Sequence, residues 1–189
     1  GCADMVSMAR PFLADPDFVA KAAAGKAAQI APCIACNQAC LDHTFSGKLS
    51  SCLVNPRACH ETELLYGPAE TPRKIAIVCA GPAGLSTALV AAERGHSVTK
   101  FDRADRIGGQ LNMARMVPGK EEFHGLVDWY ETMVAERGVT LRLGTEASAD
   151  TVAEFAAVVV ATGVLPRDPE ISGQAGPNEL SYIDELRGG

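Results

Sequence analysis

The residues from 74 to 102 constrain the fold more than any other part of the chain. An apolar run of strand length occupies residues 74–79, and a turn of small residues follows it. A helical pattern over residues 85–94 ends at Gly95, and a second strand pattern at 97–102 ends in Asp102. This order predicts a β-α-β unit of the dinucleotide-binding type, and therefore an α/β fold built on a Rossmann-like parallel sheet.

The turn between the first strand and the helix suits a nucleotide pyrophosphate. Gly81, Ala83 and Gly84 are small enough for the backbone to approach a ligand, and the helix N-terminus presents free N–H groups and a favourable dipole. Asp102 lies eighteen residues beyond Gly84, close to the spacing at which an acid accepts hydrogen bonds from a ribose diol. A plain β-α turn is the alternative, and the agreement of strand, helix and acid disfavours it.

One position departs from the dinucleotide fingerprint, Gly-x-Gly-x-x-Gly. Cys79 stands where the first glycine makes the tight turn. A side chain there crowds the turn, and a left-handed backbone costs about 1–2 kcal/mol for a residue with a Cβ. We expect weakened nucleotide affinity with the fold retained.

Four of the seven cysteines, Cys33, Cys36, Cys40 and Cys52, form the second strong pattern, with two, three and eleven residues between them. Thiolates are soft ligands that suit iron–sulfur clusters and zinc. Structural zinc sites usually pair two short knuckles, whereas three close cysteines and a remote fourth resemble iron–sulfur ligation. The pattern favours a 4Fe-4S cluster, with zinc and free thiols as alternatives. Cys59 is a fifth candidate ligand that we expect to be a small buried side chain.

The flanking segments supply further elements. Residues 3–10 predict a short apolar strand that ends in Arg10, followed by a helix with Asp15 as N-cap and Gly25 at its end. By composition alone, Arg10 is a surface charge. Residues 67–72 have the composition of a linker.

The region after Asp102 continues the same domain. The glycine loop at 107–111 either lies along a ligand or is an ordinary turn. Residues 121–137 predict an amphipathic helix in which Trp129 and Met133 serve packing. Residues 139–143 predict a strand, and the valine-rich run at 156–163 predicts a buried parallel strand ending in a glycine turn.

Composition excludes several classes of protein. A hydrophobic content of 47% is enough for a packed core. With a net charge of −6, the chain as a whole lacks the excess of basic residues that is typical of nucleic-acid-binding proteins. No uncharged apolar run reaches the length of a membrane span. Because no export signal is recognisable, we expect a cytoplasmic protein whose cysteines bind metal rather than form disulfides. The chain begins without methionine, and we expect it to be part of something larger.

Several motifs occur in the order seen in one family. They are residues 3–12, the four cysteines, residues 52–57, residues 80–84, residues 107–110 and residues 161–163. Over nearly its whole length the chain resembles the middle of bacterial NADPH-dependent 2,4-dienoyl-CoA reductases. It is also similar to trimethylamine dehydrogenase and other multidomain relatives of old yellow enzyme.

The resemblance implies a domain organisation. Residues 1–30 would be the end of a (β/α)8 barrel, 31–72 the iron–sulfur segment and linker, 73–166 the first part of an FAD-binding domain, and 167–189 a crossover toward an NADPH domain. It assigns the 4Fe-4S cluster to Cys33, Cys36, Cys40 and Cys52, and the FMN phosphate to Ala9 and Arg10. It assigns FAD contacts to Gly81, Ala83, Gly84, Asp102, Gly109, Gln110, Thr162 and Gly163.

The implied activity is reduction of a conjugated C=C bond in a dienoyl-CoA thioester. Electrons would pass from NADPH to FAD, through the cluster, to FMN. The substrate-binding barrel is absent, so we expect this chain to be inactive alone; its oligomeric state is left open. One alternative is an N-demethylating amine dehydrogenase in which the nucleotide region holds ADP alone. The other is a zinc-stabilised nucleotide-binding module without a redox role.

Overall fold

A computed structural model describes residues 2–167, 169–172, 174, 176 and 179–186. In this part of the chain, four parallel strands form one sheet in the order β3-β2-β1-β4. The strands are β1 (Lys74–Val78), β2 (Ser97–Phe101), β3 (Thr140–Arg142) and β4 (Ala157–Val160). Val78 at the end of β1 lies opposite Phe101 on one side and Val160 on the other, so these carboxyl ends share one edge of the sheet. The predicted α/β fold with a parallel sheet is confirmed.

The helices are short except for two. They are α1 (Arg10–Ala14), α2 (Phe18–Ala23), α3 (Leu41–Phe45), α4 (Pro82–Glu93), α5 (Leu111–Ala114), α6 (Glu122–Glu136), α7 (Ala149–Val152) and α8 (Tyr182–Leu186), with a 3-10 turn at Ala27–Gln29. Gly81 is the N-cap of α4, and Pro82 occupies a first-turn position where its missing N–H costs nothing. Gly95, with φ of +91°, follows the end of α4 as predicted. The long helix predicted over 121–137 is α6.

The core lies where α4 and α6 pack together beside β1 and β2. Leu126, Val127, Tyr130 and Val134 are the buried face of α6. The hydroxyls of Tyr130 and Ser86 lie 2.7 Å apart and join α6 to α4 inside this core. Trp129 packs at the margin of the core, and its indole Nε1 donates to the Gln29 carbonyl at 3.0 Å. Trp129 and Met133 thus serve packing, as predicted.

Two predicted features near the start of the chain are wrong. Residues 3–8 adopt no regular secondary structure, because a strand needs a neighbour for its backbone groups and the described sheet offers them none. The following helix begins at Phe18 with Asp17 as N-cap. Asp15 instead accepts hydrogen bonds from Asp17 N–H at 3.0 Å, Ala31 N–H at 2.8 Å and Lys21 Nζ at 2.6 Å.

Two predictions about burial are also wrong. β4 is parallel, as expected, but Val158 is 41% exposed and Val160 is 70% exposed. β4 is the last strand of the described sheet and has a neighbouring strand there on one side alone. Cys59 is exposed, with a left-handed φ of +64°. The predicted crossover after residue 166 lies partly outside the described residues. No helix in the described ranges has the length and apolar character needed to cross a bilayer.

Candidate cofactor sites

At Gly84, in the first turn of α4, the helix packs closely against the residues of β1, of β2 and of the loop after β1. A Cβ at this position would overlap the Cys79 carbonyl oxygen and the Lys100 amine, and would lie 3.3 Å from Ile77 Cγ2. Only glycine allows the first turn of α4 to pack this tightly on the sheet. The structure thereby supports the role that the fingerprint gives to its third glycine, which is close packing of helix on strand.

Asp102 lies at the carboxyl end of β2, beside this loop. Its Oδ2 accepts a hydrogen bond from Ala80 N–H at 2.5 Å, and its Oδ1 accepts one from Ala104 N–H at 2.8 Å. The half-buried carboxylate therefore fixes the loop after β1 and the turn after β2 at once. The position of Asp102 at the end of β2 is compatible with a ribose contact, which stays a prediction.

The glycine loop after β2 lies on the first loop. Gly108 N–H donates to the Ala80 carbonyl at 2.8 Å. Gly109 has φ of +54°, and a Cβ on it would stand 2.9 Å from Gly81 Cα. The glycine loop therefore packs directly on the loop after β1. That it lies along a ligand stays a prediction.

The turn after β4 reaches the same edge of the sheet. Gln110 Nε2 donates to the Val164 carbonyl at 3.2 Å, which holds the residues after β4 against the glycine loop. Thr162 and Gly163 are exposed there, and Gly163 has φ of +76°. Ala83 is exposed in the first turn of α4. All eight residues assigned to FAD thus surround one end of the sheet; we call this set, together with Cys79, the dinucleotide cradle.

Cys79 adopts the left-handed conformation that a glycine would normally supply, with φ of +84°. Its carbonyl oxygen accepts a hydrogen bond at 2.5 Å from Lys100 Nζ, and the Lys100 side chain is fully buried. Burial lowers the pKa of Lys100 from 10.5 to about 8, while Cys79 and Asp102 act in the opposite direction. Our sequence reasoning missed Lys100; its signal is a charged residue next to Phe101 within an otherwise uncharged strand.

The four clustered cysteines line a single small cavity. It is also lined by Arg10, Leu13, Ile34, Asn37, Ala39 and Leu53. Left-handed conformations at Ala35 (φ +52°) and Asn37 (φ +59°) curl the loop that carries the first three cysteines. Yet the described residues contain no group of three or more His, Cys, Asp or Glu side chains that could hold a metal ion. What the structure does show is that the four thiols line one common cavity.

Cys52, the cysteine of the four that is remote in sequence, also lines this cavity. Burial raises the pKa of its thiol, and the nearby Cys33 and Cys36 raise it further, while hydrogen bonds from the Asn55 and Val54 backbone lower it. Asn55 also donates from Nδ2 to the Leu13 carbonyl at 2.9 Å, which ties the segment after Cys52 to α1. No local sequence pattern predicts the hydrogen bond between Asn55 and Leu13.

Arg10 is the first residue of α1, and Ala9 is its exposed N-cap. The Arg10 guanidinium Nη1 donates to Asn37 Oδ1 at 2.7 Å, so α1 is joined to the cysteine loop as well as to Asn55. The structure thus places Arg10 at the cysteine cavity; an FMN phosphate contact by Ala9 and Arg10 stays a prediction.

Ile34 joins the cysteine cavity to the sheet domain. This side chain lies between Cys33 and Cys36 in the sequence and lines the cavity, and it also packs against the hydrophobic core of the sheet domain. Val54, two residues beyond Cys52, packs against the same core. The cysteine segment is therefore held to the domain that carries the dinucleotide cradle by apolar contacts on both sides of the loop.

Comparisons with known proteins agree with this arrangement. Residues 73–187, more than half of the chain, match the family model described as pyridine nucleotide-disulphide oxidoreductase. The chain is 41% identical over 194 residues to a metal reductase of Desulforamulus reducens, covering 100% of this chain and 29% of that protein. The chain therefore spans under a third of this relative's length.

Two solved structures share the fold of nearly the whole chain. A 2-naphthoyl-CoA reductase, in complex with 2-naphthoyl-CoA, superposes with a TM-score of 0.91 at 35% identity, covering 98% of this chain and 29% of that one. Histamine dehydrogenase from Rhizobium sp. 4-9 superposes with a TM-score of 0.81 at 28% identity, covering 90% and 26%. Together with the family match they support a flavin, FAD, as a cofactor. The chain belongs to the pyridine nucleotide-disulphide oxidoreductase family.

Proposed function

We propose that this chain is the electron-transfer region of a flavin-dependent reductase that acts on a conjugated C=C bond, with a 2,4-dienoyl-CoA thioester as substrate. The observation that carries the proposal is a cavity lined by four cysteines and joined through Ile34 to the core of an FAD-binding sheet. Likeness to a reductase solved with an aromatic CoA thioester supports the choice of substrate class.

The donor set that lines the cavity suits an iron–sulfur cluster. It consists of four thiols, three close in sequence and one remote, and a 4Fe-4S cluster takes one cysteine at each iron, whereas structural zinc sites usually pair two short knuckles. Cys33, Cys36, Cys40 and Cys52 would hold it. When bound, a cluster supplies one-electron transfer, which complements a flavin that receives two electrons as hydride.

The surrounding residues would set the properties of the bound group. The backbone N–H groups of Val54 and Asn55 lower the pKa of the Cys52 thiol, and hydrogen bonds to cluster sulfurs tune reduction potentials. Ile34 and Leu53 are apolar side chains that also line the cavity. In the cradle, Gly81 would let the backbone approach the pyrophosphate of FAD, while Gly84 lets α4 pack closely on the sheet.

A second candidate is an amine dehydrogenase of the same architecture, which the likeness to histamine dehydrogenase favours. The two candidates differ in the nucleotide that they imply in the cradle, since the resemblance gives FAD for the reductase and ADP alone for the amine dehydrogenase. NADPH as donor and FMN as acceptor belong to the proposal for the larger enzyme.

The test is the cofactor content of anaerobically purified protein. We expect a brown protein containing iron and acid-labile sulfide in equal amounts, with FAD as the nucleotide released on denaturation. ADP without flavin would favour the amine dehydrogenase. A colourless protein with one zinc per chain would overturn the redox proposal and favour a zinc-stabilised module.

A further inference from the structure

Lys100 is a charged side chain in the interior of the cradle. It is 0% exposed, and its Nζ reaches from β2 to the Cys79 carbonyl oxygen at 2.5 Å. The amine also lies against the first turn of α4, because a Cβ at Gly84 would overlap it. Burying a lysine amine away from water is unfavourable unless its neighbours compensate. Because burial of this amine costs free energy, we expect its contacts to serve a function at this site.

Cys79 offers such a role. Its left-handed conformation is unfavourable for a residue with a Cβ and persists only where the surroundings enforce it. The hydrogen bond from Lys100 holds the peptide carbonyl of this residue in place. The cysteine at the position of the first fingerprint glycine and the buried lysine of β2 are thus in direct contact.

We propose that Lys100 is a positioning residue for the dinucleotide cofactor: its buried ammonium group fixes the left-handed turn at Cys79 and places a positive charge beneath the site of the cofactor's pyrophosphate. The proposal rests on the proposed function in one respect, which is that the cradle binds FAD. Lys100 does not contact the cofactor in this account; it acts through the backbone of the loop and through its field.

The proposal makes cofactor affinity depend on pH. The ionisable groups that face Lys100 are Cys79, from the loop after β1, and Asp102, from the end of β2; α4 presents Gly84. With a pKa of about 8, Lys100 is mostly protonated at neutral pH and loses its charge above that value. Because the pyrophosphate is anionic, FAD binds the protonated form more tightly. Affinity then falls as pH rises through 8, by up to about tenfold per pH unit.

The first experiment measures FAD binding by flavin fluorescence between pH 7 and pH 9. The thiol of Cys79 is removed from both proteins so that only Lys100 differs between them, and the comparison is made between Cys79→Ser and the double variant Cys79→Ser/Lys100→Met. We expect the dissociation constant to rise about fivefold or more over this range in Cys79→Ser and to stay flat in the double variant. Equal pH profiles in the two variants would overturn the proposal.

The second experiment uses the unaltered protein and does not depend on the fold of a variant. The pKa of Lys100 is measured from the 13C chemical shift of its Cε with and without FAD. Binding of the anion should raise this pKa, and an unchanged value would contradict the proposal. If the unaltered protein binds no FAD at any pH, the proposed function itself fails, whereas binding without a pKa change removes only the role of Lys100.

Discussion

Gly109 lies so close to Gly81 that a Cβ on residue 109 would stand 2.9 Å from the Gly81 Cα. Two loops that are far apart in sequence thus meet with no space for a side chain, and the Gly108 to Ala80 hydrogen bond at 2.8 Å joins them at the next position. This contact aligns the glycine loop with the fingerprint and gives the cradle its second wall.

Gly109→Ala should therefore displace one of the two loops and weaken FAD binding by at least about tenfold, because backbone atoms cannot move aside as a flexible side chain does. Gly138→Ala is the matched control: Gly138 has a similar φ of +64°, but nothing lies within 4 Å of its Cβ position. Both variants should lose about 1 kcal/mol of stability from left-handed strain, and Gly109→Ala should lose more because of the clash with Gly81. Equal FAD affinity in the two variants would show that the loop contact does not shape the site.

Cys79→Gly should stabilise the protein by about 1 kcal/mol in urea unfolding, because glycine adopts the φ of +84° at no steric cost. It should also bind FAD as tightly as the native chain or more tightly. Cys79→Ala removes the thiol but keeps a Cβ, so it should give no such gain. A less stable Cys79→Gly protein would mean that the cysteine side chain contributes more than its backbone costs.

The buried amine of Lys100 gives stability a pH dependence of known sign. Its pKa is about 8 in the folded protein and 10.5 without burial, so the unfolded chain retains the proton over a range in which the folded chain has lost it. The free energy of unfolding should therefore rise with pH from about 8 to about 10.5, by at most about 1.4 kcal/mol per pH unit.

The measurement is urea unfolding of the native protein and of Lys100→Met across this pH range. As pH rises, the free energy of unfolding of the native protein should increase relative to that of Lys100→Met. The variant lacks the titrating amine, and all other ionisable groups are common to both proteins. Parallel curves would contradict the burial of a titrating Lys100.

Much of the sheet domain follows from sequence alone. The residues of β1, α4 and β2 have strong local preferences that agree with their tertiary contacts, and Gly95 and Asp102 mark the ends of elements as they would in isolation. The gathering of the predicted FAD residues also follows, because parallel strands end at one edge of the sheet.

Features that depend on distant partners could not be predicted. Residues 3–8 have a strand-like composition, yet a strand forms only beside another strand. The valines of β4 predict burial, but burial depends on what covers the sheet, and Val160 stays 70% exposed. The hydrogen bonds of Arg10 with Asn37 and of Asn55 with Leu13 join residues 27 and 42 positions apart, which no local pattern indicates.

The most direct test of the account is the iron and sulfide content of three proteins purified anaerobically: native, Cys52→Ser and Cys59→Ser. Cys52 lines the cysteine cavity, while Cys59 is exposed and is not among the residues lining it. We expect about four iron and four sulfide per chain in the native protein and in Cys59→Ser, and a large loss of both in Cys52→Ser. Equal iron in all three proteins, or zinc in place of iron, would contradict the assignment of these thiols to an iron–sulfur cluster.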